Sequence, residues 1–387
     1  MTAYICVTCG VQYAESESAP ERCVICEEER QYVNVKGQMW TTLEVLRTTH
    51  RNRIGSEEPG LTGIGSDPSF AIGQRALLVQ AASAYSQDLG ASAQTAGANP
   101  YDLRSSAQAA GGRPPKGSHT PEGNKQPEGA HTQDSRTSTQ AGANLQDVQP
   151  AAQDEEVRAQ EGTNMQDVRA AAQAAGANLP GLRISAQAAG SRPPEGTGQS
   201  EGGVLWDCIS LVDDTTVKAV RAMGGVRAMA ISHPHFYSSM IEWSRALGGV
   251  PVYLHADDRQ WVMRPDPAIQ YWEGETHELG DGVTLIRCGG HFAGSTALHW
   301  AAGAEGRGAL LTADTLTVVS DNRYVSFMYS YPNLIPLPKA AIEQIVRSVE
   351  PFAFDRIYGG WWERVVASDA KAAVARSAER YLKAISG

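Results

Sequence analysis

The sequence predicts an α/β (α+β) fold of sheets covered by helices, with a small N-terminal four-cysteine metal knuckle and a long disordered insertion. Three observations predict it. Two Cys-x-x-Cys pairs fall within the first 26 residues, and a stretch from about Ala82 to Gly203 lacks apolar periodicity. Beyond that stretch, short apolar runs alternate with helix-period segments, the pattern of sheets packed under helices.

The elements follow in order. Ser69–Gln80 reads as a strand, and Gly203–Ile209 (GVLWDCI) reads as another. Joined directly they form a hairpin, and because loop-closure entropy grows slowly with length, such a turn can absorb a long insertion. Helices are expected at Thr215–Met223 and Met240–Leu247, each closed by a Gly-Gly pair that suits the left-handed C-terminal position. Strands are expected at Val226–Ile231, Val250–Leu254, Val283–Cys288, Ala297–Trp300, Ala309–Thr312 and Arg356–Tyr358. Helices at Lys339–Val349 and Asp369–Ile385 complete the chain. Three regions result: a knuckle at 1–35, a domain at 36–81 and 204–387 that is split in sequence and continuous in space, and the insertion at 82–203. Within the insertion, Ala93–Gly117 returns as Ala172–Gly196. These units hold too few large apolar residues for a stacked solenoid, so disorder is the expectation.

Composition narrows the function. The 387 residues carry 33 Lys+Arg against 43 Asp+Glu, a net charge of −10, with 42% hydrophobic residues. That supports a sizeable core, while the acidic balance counts against nucleic acid or an anionic membrane as partner. No apolar run approaches the ~18 residues of a membrane span, and the first residues show no export signal. A cytoplasmic location and a small-molecule substrate are therefore expected. Cys208 and Cys288 stand alone in apolar runs and read as buried small hydrophobes.

Cys6, Cys9, Cys23 and Cys26 supply four thiolates in two knuckles, a set that closes a tetrahedral all-sulfur site for Zn or Fe. The segment Tyr4–Tyr13 (YICVTCGVQY) with the second pair behind it resembles the rubredoxin-like knuckle of rubrerythrins. Iron there implies electron transfer, and zinc implies a structural role, the preferred reading.

A second constellation lies in the domain. His233-Pro234-His235 follows a strand, His291 sits on a Gly-rich turn, and Asp314 ends an apolar strand (LLTAD). Two imidazoles at i and i+2 behind a strand project to one side, as paired metal ligands require. His255, His277 and His299 fall outside any ligand pattern. In order, spacing and context these residues resemble the metallo-β-lactamase superfamily across Leu61–Val79 and Val204–Gly387. The resemblance implies an αββα sandwich with a metal site at one edge of the two sheets. It implies His233, His235 and His291 as ligands of a first metal, with Asp314 as a further ligand or as acceptor for the nucleophilic water. The family motif His-x-His-x-Asp-His departs here: Tyr237 and Ser238 stand where Asp and the following His are expected, and Tyr358-Gly359-Gly360-Trp361 lacks the last His. One zinc ion is therefore expected, because three imidazoles plus an open position is a catalytic zinc count. Tyr237 is a candidate donor to a developing oxyanion, Arg323 a candidate to hold an anionic substrate group, and Asp207 a candidate neighbour of the centre. The expected function is a metal-dependent hydrolase of an ester, thioester or lactone. The alternatives are a redox protein with iron at both centres, and an inactive binding protein of the same fold.

Overall fold

A computed structural model describes residues 1–80 and 202–386. The disorder expected for 82–203 thus concerns residues outside the described ones, except Gly202 and Gly203, and Gly203 already opens a strand.

The strands Arg51–Glu58, Leu61–Asp67, Arg75–Val79, Gly203–Trp206, Val226–Ala230, Val252–His255 and Ile269–Trp272 form a seven-stranded sheet in that order. Its first four strands are antiparallel neighbours, and the last four run parallel. The expected hairpin across the insertion is present, with Leu77 opposite Trp206, Leu78 opposite Leu205 and Val79 opposite Val204. A second, six-stranded sheet follows the order Thr276–Gly280, Val283–Arg287, Thr296–Trp300, Ala309–Leu311, Arg356–Tyr358, Val365–Val366.

Alternation along each strand decides the layers. Leu77, Val79, Val204 and Trp206 of the first sheet pack against Leu285, Leu298, Trp300 and Leu311 of the second. The intervening residues turn outward. Leu78, Leu205 and Met229 meet Val217, Val220, Ile241 and Trp243 of the helices Asp214–Ala222 and Met240–Ala246. On the far side, Ile286, Ala297 and Leu310 meet Ile342, Ile345, Val349, Ala373 and Val374 of the helices Lys339–Val349 and Ala370–Ile385. The result is the αββα sandwich.

Two expectations about elements need correction. Ser69–Gln74 is not strand: the chain turns there, with Gly73 at φ +72° and its N–H donating to the Phe70 carbonyl. The hairpin Arg51–Asp67 is a strand pair that the sequence reading did not assign. It carries Gly55, Gly63 and Gly65 because the Trp362 ring lies on it. A Cβ at Gly65 would fall 2.6 Å from Trp362 Nε1.

The knuckle is also more integrated than a 1–35 boundary suggests. Its strand Ile5–Cys6 pairs with Trp40–Thr41, beyond residue 35. Cys6, Cys9, Val11, Cys23, Ile25 and Cys26 share one hydrophobic cluster with the first sheet and its helices. Backbone bonds tie Gln12 N–H to the Ser238 carbonyl and Ala14 N–H to the Met263 carbonyl. Ser210 Oγ donates to the Gly10 carbonyl at 2.8 Å. Gly10, at φ +82°, has no room for a side chain, since a Cβ would lie 2.6 Å from that hydroxyl oxygen. The physical reason is size: so short a segment builds no core of its own and borrows one.

Candidate functional site

Two donor groups assemble among the described residues: Cys6, Cys9, Cys23 and Cys26, and His233, His235, His291 and Asp314. In the knuckle, Cys6 and Cys26 sulfurs lie 3.6 Å apart and those of Cys9 and Cys23 3.7 Å. Gln38 Nε2 donates to Cys6 Sγ and the Tyr13 hydroxyl donates to Cys23 Sγ, both at 3.3 Å. All four thiols are buried, and four buried soft donors without a counter-charge suit a thiophilic ion.

The second group forms where strands of both sheets end. Asp207 follows Gly203–Trp206, His233 and His235 follow Val226–Ala230, His291 follows Val283–Arg287, and Asp314 follows Ala309–Leu311. Three ring nitrogens converge on one oxygen, Asp314 Oδ2: His233 Nε2 at 3.1 Å, His291 Nε2 at 3.5 Å and His235 Nδ1 at 3.8 Å. His291 Nε2 and His235 Nδ1 are themselves 3.2 Å apart. The four residues are at most 6% exposed.

The surrounding bonds select the donors. His291 Nδ1–H donates to the Met328 carbonyl at 3.0 Å, which leaves Nε2 with its lone pair facing the centre. His233 Nδ1 lies 2.9 Å from Ser232 Oγ. The Ser232 N–H donates to Asp207 Oδ1 at 2.7 Å, so Asp207 fixes the turn that carries both histidines. Burial pulls His235 down to about 4 and His291 well below the usual imidazole value, so both rings are neutral near pH 7. Burial pushes the Asp314 carboxyl up. The hydrogen bond from His233 Nε2, with His235 and His291 close by, outweighs that and holds it well below the carboxylate range. Neutral imidazoles around an ionised carboxylate form a donor set that fits a divalent cation.

Comparison with known proteins identifies a relative of the whole chain. The protein YmaE of Bacillus subtilis (strain 168), whose name describes it as uncharacterized, is 34% identical over 387 residues, covering 100% of this chain and 97% of YmaE. The chain belongs to the YmaE family. No family model matches it. Among solved structures, this YmaE-family chain is similar to three metallo-β-lactamase-fold proteins. The metallo-β-lactamase SMB-1 is 17% identical and covers 48% of this chain and 86% of its own, at TM-score 0.35. TTHA1623 in a di-iron-bound form is 22% identical, covering 41% and 81%, at 0.31. An N-acyl homoserine lactone hydrolase is 18% identical, covering 38% and 71%, at 0.29. The fold assignment rests on the layers and strand order described above, which are those of the metallo-β-lactamase sandwich.

In this YmaE-family chain the two places where the sequence departs from the expected histidine motif are filled by other contacts. Ser238 faces away from the imidazoles: its hydroxyl accepts from Gln74 Nε2 at 2.7 Å. After the strand Arg356–Tyr358, a Cβ at Gly360 would lie 2.9 Å from Phe236 Cζ, so the Phe236 ring takes the space a side chain there needs. That ring also packs on His233, with centroids 4.8 Å apart.

Two sequence-derived roles are corrected. Tyr237 has no described hydrogen bond or ring contact with the three imidazoles. It follows the short 3-10 turn Pro234–Phe236, where residues two apart point about 240° apart, and with Val11 and Gln12 it lines a small cavity. Burial pushes its phenol well above the ordinary value, so it stays protonated. Arg323 is far more exposed, 78% at its side chain, and pairs with Asp321 at 2.7 Å. A turn before Val325–Ser326 holds that pair at the surface. Of the aromatic run after Arg323, Tyr331 does reach the centre, with its hydroxyl donating to the Asp314 carbonyl at 2.9 Å. His255, His277 and His299 stay outside, as expected: His255 Nε2–H donates to the Gly274 carbonyl and His299 Nε2–H to that of Ala353. His277 lies between Tyr253 and Trp272.

Sequence reasoning missed two residues. Asp258, buried and pushed by that burial up to about 6, accepts from the Gly294 N–H at 2.8 Å and so holds the His291 turn. Arg30, in the knuckle, lies over Phe292, whose ring touches all three imidazoles. The Cys26-x-x-x-Arg30 spacing gives no hint of this contact.

Proposed function

We propose that this protein is a metal-dependent hydrolase in which His233, His235, His291 and Asp314 hold one divalent ion, zinc in the first instance. Its substrate is an ester, thioester or lactone. The observation that carries the reading is the convergence of three buried imidazole nitrogens on one carboxylate oxygen. An ion bound there supplies Lewis acidity, drawing the pKa of water toward neutrality and polarising a carbonyl oxygen. The chain's own residues set the rest. Asp314, ionised at neutral pH, orients at Oδ2 and is too weak a base to keep a proton there. The Met328 carbonyl locks the His291 tautomer, and Phe292 and Tyr331 keep bulk water off the imidazoles. The knuckle holds Zn or Fe through its four thiolates.

The test is metal analysis of the intact protein beside a panel of ester, thioester and lactone substrates. Two ions per chain, with one ion and all turnover lost in His291→Ala, is the expected result. A single ion retained in the wild type, or hydrolysis that survives His291→Ala, overturns the reading. A second reading, electron transfer between two iron centres, is favoured by one observation. The four cysteines share a hydrophobic cluster with Phe236, the ring packed on His233. A red, iron-loaded protein supports it, and a colourless one does not.

A further inference from the structure

The knuckle contributes a guanidinium to the neighbourhood of the His/Asp centre. The Arg30 Cζ lies 4.4 Å from the Phe292 ring centroid and 4.5 Å from that of Tyr329, so the group is held between two rings. Phe292 is buried, and its centroid is 5.0, 5.1 and 5.8 Å from those of His235, His291 and His233. One aromatic ring therefore separates Arg30 from the ligands.

Its hydrogen bonds are lopsided. Nη1 is taken by Glu28 Oε1, whose other oxygen accepts from the Arg30 backbone N–H at 2.8 Å. Nε is buried, and among the described residues it has no hydrogen-bond partner. Nor does Nη2 have a described acceptor. Nε and Nη2 are the edge of the fork that receives a planar carboxylate through two parallel bonds, and a buried donor left unmade is costly. The backbone carrying the fork is fixed from the other side. Asn333 Nδ2 donates to the Glu29 and Gln31 carbonyls at 3.0 and 2.9 Å, and Ser330 Oγ donates to the Arg30 carbonyl at 3.0 Å. The same segment, through its strand Met328–Ser330, supplies the Met328 carbonyl that orients His291.

We propose that Arg30 is a specificity-determining residue that receives, on its Nε–Nη2 edge, a carboxylate carried by the substrate away from the scissile bond. This rests on the hydrolase reading and narrows it to anionic substrates such as half-esters of dicarboxylic acids. It also gives the knuckle a part in recognition.

The experiment compares full-length wild-type protein with Arg30→Gln and Arg30→Lys, each checked for metal content and secondary structure. Substrates are neutral 4-nitrophenyl acetate and the anionic 4-nitrophenyl half-esters of succinate, glutarate and adipate. The expected result is a fall of about tenfold or more in the anionic-to-neutral ratio of kcat/KM for Arg30→Gln. Arg30→Lys, which keeps the charge without the fork, recovers part of it. A ratio unchanged in both variants, with both substrates affected in parallel, overturns the proposal and leaves Arg30 a packing residue. If the wild type hydrolyses neither class, the hydrolase reading itself fails, and calorimetric titration with glutarate then decides Arg30. Binding about tenfold weaker in Arg30→Gln supports the anion site, and equal binding in the variant, or none in the wild type, overturns it.

Discussion

His291 is constrained at both ring nitrogens: Nδ1–H on the Met328 carbonyl and Nε2 toward Asp314 Oδ2. Burial keeps it and His235 in the neutral, ligating form. At these two rings protons therefore compete with a metal ion only well below the ~6.5 of a free imidazole, at His235 as pH falls toward about 4. Protein dialysed at about pH 5.5 is expected to retain the ion of this centre, and elemental analysis showing its loss near pH ~6.5 would contradict that account. Asp207 works in the opposite sense. Its burial raises it to about 7, with Ser232, His233 and Asp314 as the groups facing it. A carboxyl of ~3.9 in the unfolded chain then binds more protons when folded. Stability from this group is present below pH ~4 and is lost as pH rises through about 7. Asp207→Asn keeps an oxygen for the Ser232 N–H and removes the titration. In metal-stripped protein the variant should gain on the wild type by on the order of a few kcal/mol between about pH 4 and 7.5. Urea midpoints at the two pH values measure it, and a pH-independent difference would show that Asp207 does not titrate there.

At the scale of elements, the segment Met328–Asn333, made of the strand Met328–Ser330 and the turn after it, joins the two centres. It orients His291 through Met328, holds Asp314 through Tyr331 and straps Glu28–Gln31 through Ser330 and Asn333. Asn333→Ala removes two hydrogen bonds of partly exposed groups, together worth roughly 1–2 kcal/mol. The expected signature is faster amide exchange at residues 28–31 with the helix Ala370–Ile385 unaffected, and unchanged exchange at 28–31 would deny the strap. What the sequence showed of these elements follows from how local each one is. The helix Lys339–Val349 has its 3.6-residue stripe, Ile342, Ile345 and Val349, written in adjacent turns. The paired His233 and His235 and the LLTAD strand end are equally local. The hairpin Arg51–Asp67 was illegible, because its glycines make sense only under Trp362, which lies far along the chain. Arg323 is legible as a candidate because it stands in the aromatic run, whereas Arg30 meets Tyr329 only once the knuckle has folded onto that strand.

For the whole molecule, the shared cluster changes what loss of the knuckle should do. Sequence spacing set residues 1–35 apart, and that division predicts a domain indifferent to the cysteines. The packing predicts otherwise. Cys6, Cys9, Cys23 and Cys26 lie in one cluster with Leu78, Leu205, Met229 and Trp243, and Gly10, Gln12 and Ala14 are bonded to segments that flank the His centre. A metal that holds the four thiolates folded is then linked to the stability of the sandwich itself. Cys26→Ser, which breaks the four-sulfur set just before Arg30, should lower the single urea midpoint of the whole protein. It should also speed metal release from the His centre, because the segment that places Arg30 over Phe292 is no longer anchored. The informative measurement is unfolding followed by two probes, cysteine accessibility at the knuckle and far-UV signal from the sandwich. Coincident transitions, both shifted to lower urea in Cys26→Ser, mean one cooperative unit. An early knuckle transition that leaves the sandwich midpoint and the His-centre metal untouched would restore the boundary at residue 35.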